Sequence, residues 1–334
     1  MAIRPLVTPA PARQHGTRPD GFDCKEADTV NVLWVFAHPE PRSLNGALRD
    51  QGLRTLRELG HQVRQSDLYV MDWNPVVDAA DFGHDPGRRL LVGAESEHAH
   101  AAGTLSADIR AEQDKLAWAD TVVLQFPLWW HGMPAILKGW FDRVFVQGFA
   151  FGVTDEQGRT LRYGAGNLAG KRALVVVTAG ARSTGLAARG IHGDMEELLF
   201  PLLHGTLWYT GMSVLPPLTV PGADRLTGDG FPHWAARLSR RLRGLDTDAP
   251  IPYRRELGGD YDDDLLLRPD LAPGGTGLTI HDRRSHHRPA RPDRQAPAAH
   301  CASGAGQATP GRSPDHDDSR QRMAGRGAGE EPRA

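Results

Sequence analysis

The sequence predicts an α/β protein, a doubly wound five-stranded parallel sheet with helices on both faces. Three observations carry that prediction. Residues 30–37, 121–126 and 171–177 are nearly continuous apolar runs, the pattern of strands buried on both faces. Stretches of helical spacing alternate with the strands, as crossover connections require. The chain of 334 residues with 40% hydrophobic content is long enough for one or two globular domains.

The first run, 30–37, stops at His38. The loop HPEPRSLN follows, and Ser43 or Asn45 can cap a helix over 44–59, where Leu44, Leu48, Leu53, Leu56 and Leu59 keep helical spacing. A strand, a short loop and a helix N-terminus bind phosphate through free N–H groups and the helix dipole. Any βα unit shares that outline, and Arg42 is equally a surface charge. Residues 61–70 read as a more polar strand suited to a sheet edge. Residues 71–104 show little periodicity, and a loop of that length in a compact domain is often functional. His98 and His100 lie two apart there, without a Cys or carboxylate cluster of ligand spacing, so no metal site is expected. Helical spacing resumes over 106–117 with Ile109, Leu116 and Trp118 inward.

The third strand, 121–126, ends at Pro127 and gives way to Trp129, Trp130, His131, Gly132 and Pro134. Gly132 and Pro134 hold a turn here rather than a helix. The paired tryptophans therefore stand at a strand end, where parallel sheets form their ligand crevice, and offer flat surfaces to a planar ring. A tryptophan pair can also simply cap a core. Ile136, Leu137, Trp140, Phe141, Val144 and Phe145 then share one face of a helix. Residues 148–159 read as a hairpin excursion, aromatic at the base and polar at the tip. The strand 171–177 ends in the small-residue loop 178–185, whose N–H groups a ligand can approach closely. A helix over 195–204, an edge strand over 212–220 weakened by Pro216 and Pro217, and a helix over 232–242 complete the sheet.

The loops 38–45, 127–132 and 178–185 thus converge on one crevice with a helix N-terminus, aromatic planes and accessible amides. That set suits a ligand with both a phosphate and a flat ring. The run GAGNLAGKR leads into a strand, so it is neither a phosphate loop nor a dinucleotide fingerprint. The segment around Ser183 misses the nucleophile-elbow spacing by one residue, and no HExxH motif occurs. A net charge of −2 points to no nucleic-acid surface, and no apolar run approaches the ~20 residues of a membrane span. Cys24 and Cys301 both lie toward the termini, outside the predicted core, so no disulfide framework is expected and a cytoplasmic protein is the default. Residues 1–29 and 282–334 have too few large apolar side chains to fold and read as disordered. Between them lie a domain over 30–245 and its extension over 246–281.

The runs LSADIRAEQDKLAWAD, FPLWWHGMPAILKGWFDRVF and GIHGDMEELLFPLLHGTL, in that order, resemble the NAD(P)H:quinone oxidoreductase (DT-diaphorase) family across about residues 32–281. The resemblance implies a flavodoxin-like fold, a homodimer with sites at the subunit interface, and tightly bound FAD. It implies ping-pong two-electron reduction of a quinone by NADPH or NADH. By position, His38, Ser43, Leu44 and Asn45 would hold the flavin's phosphates and ribityl chain. Pro127, Leu128, Trp129, Trp130 and His131 would line the isoalloxazine, and Thr178, Ala179, Gly180 and Ala181 would bond its polar edge. Phe151, Gly152 and Val153 match the substrate loop, where tyrosines are usual. His192 matches the histidine that stabilises or protonates the flavin's pyrimidine edge, a role suited to imidazole near neutral pH.

Three departures bear on the chemistry. Leu186 stands where the family pairs that histidine with a tyrosine, Leu91 falls near a flavin-contacting glutamine, and Phe151 and Val153 replace the loop tyrosines. The segment 254–281 follows the family's adenosine-holding segment only loosely, which leaves FMN as the alternative flavin. Two other functions fit the same fold: a regulatory flavoprotein like the ancillary subunits of potassium-efflux systems, and a one-electron carrier. The carrier calls for a strongly acidic surface, which this near-neutral chain lacks.

Overall fold

The computed structural model describes residues 29–284. Its strands are β1 (Asn31–Phe36), β2 (Gln62–Asp67), β3 (Thr121–Pro127), β4 (Arg172–Ala179), β5 (Ser213–Val214) and β6 (Leu218–Pro221). They form one parallel sheet in the order β2-β1-β3-β4-β5, with β6 also paired to β4. β5 pairs with the start of β4 and β6 with its end, so both occupy one edge position. Pro216 and Pro217, which cannot donate to a ladder, part them. The expected fifth strand is therefore one edge strand broken in two. β2, the opposite edge, is mostly exposed, as its polar sequence requires.

The helices are α1 (Leu44–Glu58), α2 (Val92–Ala102), α3 (Ala107–Trp118), α4 (Ala135–Val144), α5 (Met195–Leu198), α6 (Phe200–Leu202) and α7 (Phe231–Arg243). Strand alternation divides the core between the two faces of the sheet. Val32, Trp34 and Phe36 of β1 pack with Leu48, Leu53 and Leu56 of α1 and Leu238 and Leu242 of α7. Leu33 and Val35, facing the other way, pack with Ile109 and Leu116 of α3 and Leu137, Trp140 and Val144 of α4. The doubly wound prediction is met on both sides.

Two stretches differ from their sequence reading. The interval 71–104 is not irregular throughout: it holds a 3₁₀ turn, Ala79–Phe82, capped by Asp78, and the whole of α2. Helix α2 buries only Ser96 and Ala99 among Gly, Glu and His, so no apolar stripe announces it. The helix expected over 195–204 is broken into α5, α6 and a π-helical turn, Leu203–Trp208. Pro201 is the cause, since its ring has no N–H and crowds the carbonyl four residues back. No helix among the described residues is long and apolar enough to cross a membrane.

The extension beyond α7 packs on the proline-broken edge, where the Ile251 N–H donates to the Val214 carbonyl at 2.8 Å. The expected disorder of 1–29 and 282–334, and both cysteines, fall outside the described residues except at Thr29 and 282–284. Those last three make contacts: Asp282 bridges to Tyr253, Arg283 Nη2 lies 2.8 Å from Asp260 Oδ2, and Arg284 Nη2 lies 2.5 Å from Glu196 Oε2.

The π turn holds a test of the packing. His204 stacks on Phe200 at 4.5 Å between centroids, with Tyr163 and Tyr253 each 5.0 Å away. Burial, and secondarily His281, lowers its pKa to about 4. The unfolded chain then binds more protons than the folded one below an ordinary histidine pKa. The stability of the neutral buried ring is complete above about pH 6.5 and is lost as pH falls toward 4, by up to about 3 kcal/mol. Urea unfolding between pH 7 and 4 should show this slope in the parent, and His204→Phe should flatten it. An unchanged slope would place the titrating group elsewhere.

Candidate functional site

β1 and β3 are neighbours, yet α1 leaves β1 toward one face and α4 leaves β3 toward the other. The chain diverges there, and a crevice opens between the two carboxyl ends, where doubly wound sheets bind ligands. A cavity of about 400 Å³ fills that point. His38, Ser43, Leu44 and Asn45 line it from the β1 side, Pro127, Leu128 and Trp129 from the β3 side, and Thr178 and Gly180 from the end of β4. All three loops read from the sequence therefore meet.

The first loop is a built anion cradle. Ser43 caps α1 by accepting the Gly46 N–H at Oγ, 3.1 Å away. The first-turn N–H groups of Leu44 and Asn45 have no intrahelical acceptor, and the dipole of a 15-residue helix adds its positive end. Gly46 permits this fold of the chain: a Cβ there would lie 1.8 Å from the Pro41 carbonyl oxygen. His38 closes the side. Its Nδ1 is engaged within the loop, 3.1 Å from the Glu40 N, 3.2 Å from the Glu40 carbonyl and 3.1 Å from Ser43 Oγ, which leaves Nε2 without a loop partner. Burial holds this imidazole below its ordinary pKa, against a smaller opposing pull from Glu40.

Asn45 does not cap the helix. It is buried and its Nδ2 donates to Thr178 Oγ1 at 2.7 Å, tying α1 to the end of β4. Behind it, Trp34 Nε1 donates to Gln125 Oε1 at 3.0 Å and Gln125 Nε2 donates to the Asn45 carbonyl at 2.8 Å. This buried chain fixes the helix N-terminus against β3. Asn45 Oδ1 is left buried with no partner, on a residue that lines the cavity.

The second loop is a two-residue hairpin turn. Trp129 and Gly132 exchange both backbone hydrogen bonds at 3.0 Å, and Trp130 and His131 between them have φ of +50° and +60°. Positive φ at both central positions is the type I′ geometry that Asn and Gly favour, and for a tryptophan it is strained. Such strain gathers at functional sites. Trp129 faces the cavity with its ring 6.5 Å from that of His38, while Trp130 and His131 form the exposed tip beyond it.

The third loop contributes less than its small residues suggest. Ala179 is in the core, and the Thr178 carbonyl already accepts the Leu128 N–H at 2.7 Å. Ala181 packs partly against the core, with its carbonyl bonded by the Gly222 N–H at 2.8 Å. A turn after β6 supplies what the sequence reading missed. Ala223 and Asp224 line the cavity, and Arg225 Nη2 donates to the Gly180 carbonyl at 2.5 Å. The available signal was position alone: β6 also ends at this edge of the sheet. Asp224 adds an acceptor suited to a ligand hydroxyl.

His192 lies outside the cavity lining, in the loop before α5. Its Nδ1 is 3.4 Å from His131 Nε2, so the structure joins two predicted residues 61 positions apart. Phe151 lines a separate cavity of about 400 Å³ with Phe82, Met133 and Phe145, and neither Gly152 nor Val153 reaches the crevice. Among the described residues no group of three or more His, Cys, Asp or Glu could hold a metal ion.

A family model described as the flavodoxin-like fold matches residues 30–242. A ribosyldihydronicotinamide dehydrogenase-like protein from Penicillium crustosum is 44% identical over 259 residues, 76% of this chain and 96% of that one. NAD(P)H dehydrogenase (quinone) 1 from Rattus norvegicus is 40% identical over 224 residues, 66% of this chain and 80% of its own length. A solved structure of a candidate quinone reductase from Klebsiella pneumoniae superposes with a TM-score of 0.74 at 48% identity, over 76% of this chain and all of that one. The chain belongs to the flavodoxin-like fold family and, within it, to the NAD(P)H:quinone oxidoreductases.

Proposed function

We propose that this chain is a flavin-dependent NAD(P)H:quinone oxidoreductase that holds FAD, or alternatively FMN, in the β1/β3 crevice. The observation that carries the reading is the crevice itself, where a capped helix N-terminus, a buried unpartnered amide oxygen and a strained tryptophan turn meet. Those groups match a phosphate, a polyol chain and a planar ring in turn. When bound, the flavin supplies hydride acceptance from a nicotinamide and hydride donation to a quinone.

The protein's part is orientation and proton supply. The Leu44 and Asn45 amides and the His38 ring hold the phosphate, and Asn45 Oδ1 and Asp224 accept hydroxyl hydrogens. Trp129 and Trp130 cover the ring face and exclude water. His192 holds a proton at the edge where negative charge develops. A homodimer is part of the proposal, supported by the separation of Phe151 from the crevice. A substrate loop that does not reach its own site is suited to reach a second copy's.

The test is a visible spectrum of the purified protein, then anaerobic titration with NADPH and afterwards a simple benzoquinone. Bleaching followed by recovery is the expected result. A colourless protein that neither FAD nor FMN reconstitutes would overturn the reading, and bound flavin without turnover would favour a regulatory role. Trp130 is fully exposed, so Trp130→Ala should change folding stability by less than about 0.5 kcal/mol. It should weaken flavin retention about tenfold. Dialysis with fluorescence of the released flavin measures the second effect, and undiminished retention would remove Trp130 from the site.

A further inference from the structure

Among the described residues, the His131 ring is the sole side-chain hydrogen-bond partner of His192. Backbone geometry places both residues at the meeting. His131 sits at φ +60° on the tip of the strained turn after β3. The His192 N–H donates to the Gly185 carbonyl at 3.0 Å, and its Cδ2 lies 3.1 Å from where a Cβ on Gly185 would be. The imidazole is slotted against a bare backbone, with its Nδ1 toward His131 Nε2 and the centroids 5.4 Å apart.

Two neutral imidazoles can share a hydrogen bond only if one nitrogen is protonated and the other bare. Which nitrogen of a histidine carries the proton is set by the bond its other nitrogen makes. We propose that His131 is a positioning residue that donates Nε2–H to His192 Nδ1 and thereby keeps the His192 proton on Nε2. This rests on the flavin-reductase reading above, and gives His131 a role separate from lining a ring. In the alternative tautomer His192 would present a bare nitrogen on its free side and could not supply a proton.

The pair is also a relay that balances. A proton leaves His192 Nε2, the His131 Nε2 proton moves to His192 Nδ1, and water protonates Nδ1 of the exposed His131. One proton enters for each that leaves and no electron moves, and exchange of the ring protons with water then returns both rings to their starting tautomers. Leu186, on the same loop as His192, is buried and carries no polar atom, so it offers no competing partner.

The experiment reads ¹⁵N imidazole shifts in the flavin-free protein, and then turnover with flavin and flavin retention in the loaded one. The parent should show His192 protonated at Nε2 and bare at Nδ1. His131→Phe should scramble that tautomer and lower kcat, measured at saturating flavin, at least about tenfold, with the KM for NADPH unchanged. His131→Gln, whose amide can donate to Nδ1, should restore the tautomer and most of kcat. A parent protonated at His192 Nδ1, or a tautomer indifferent to His131→Phe, overturns the proposal while a working parent enzyme keeps the reductase reading. A parent that binds no flavin but loses the tautomer in His131→Phe overturns the reductase reading and the proton role together, and leaves only the hydrogen bond.

Discussion

Arg143→Met should lower the free energy of unfolding by about 3–5 kcal/mol, although the residue lies outside the crevice. Arg143 is 3% exposed and gathers three separate segments. Its Nη2 is 2.6 Å from Asp81 Oδ1, its Nη1 donates to Asp108 Oδ2 at 2.7 Å and to the Asn74 carbonyl at 3.0 Å, and its guanidinium lies 4.6 Å above the Trp73 ring. Burial pulls its pKa down, but the bonds to Asp81 and Asp108 outweigh that and hold it above the ordinary arginine value, so it stays charged. Methionine would leave the buried Asp81 carboxylate without its counter-charge, and that exposed penalty, more than the lost attraction, sets the size of the effect. The double variant Arg143→Met, Asp81→Leu should therefore recover most of the loss. Urea denaturation of the three proteins checks it, and a double variant no more stable than the single would show that attraction and not burial of charge dominates.

Gly46→Ala should remove flavin binding at least tenfold and lower stability by about 1–3 kcal/mol. The added Cβ would fall 1.8 Å from a backbone oxygen, which no rotamer change can relieve. Either the 39–43 turn opens or the first turn of α1 moves, and both displace the amides proposed to hold phosphate. Arg54→Ala, exposed on the same helix, is the matched control and should change neither quantity by much. Flavin titration and thermal unfolding report the two effects separately. A Gly46→Ala protein that binds flavin like its parent would place the phosphate elsewhere.

The sequence made the frame readable because β1, β3 and β4 are buried on both faces, and such strands are apolar at nearly every position, with the few buried polar groups such as Gln125 hydrogen-bonded. The three converging loops followed from strand order alone. What escaped has a physical reason in each case. Helix α2 contributes small residues to the core and so has no stripe. Asp224 follows a strand that prolines disguise. The turn at Trp130 and His131 was expected from Gly132, yet the glycine sits one position past the left-handed residues, so the strain was invisible. Ser43 and Asn45 were equal candidates for the cap, and only the contact with Thr178, 133 positions away, separates their roles. The meeting of His131 with His192 has no local signature at all.

The proline-broken edge carries a consequence for assembly. An unpaired strand edge is an open template on which another chain can lay a strand of its own. Here the two-residue β5, a pair of prolines without donors and the Ile251 segment lying alongside leave that side of the sheet nothing continuous to copy. The polar β2 is a poor template at the other side. In the proposed homodimer the two copies would therefore meet through helices and loops, such as the excursion at 148–159 and the tryptophan tip, and not by prolonging the sheet into a fibre.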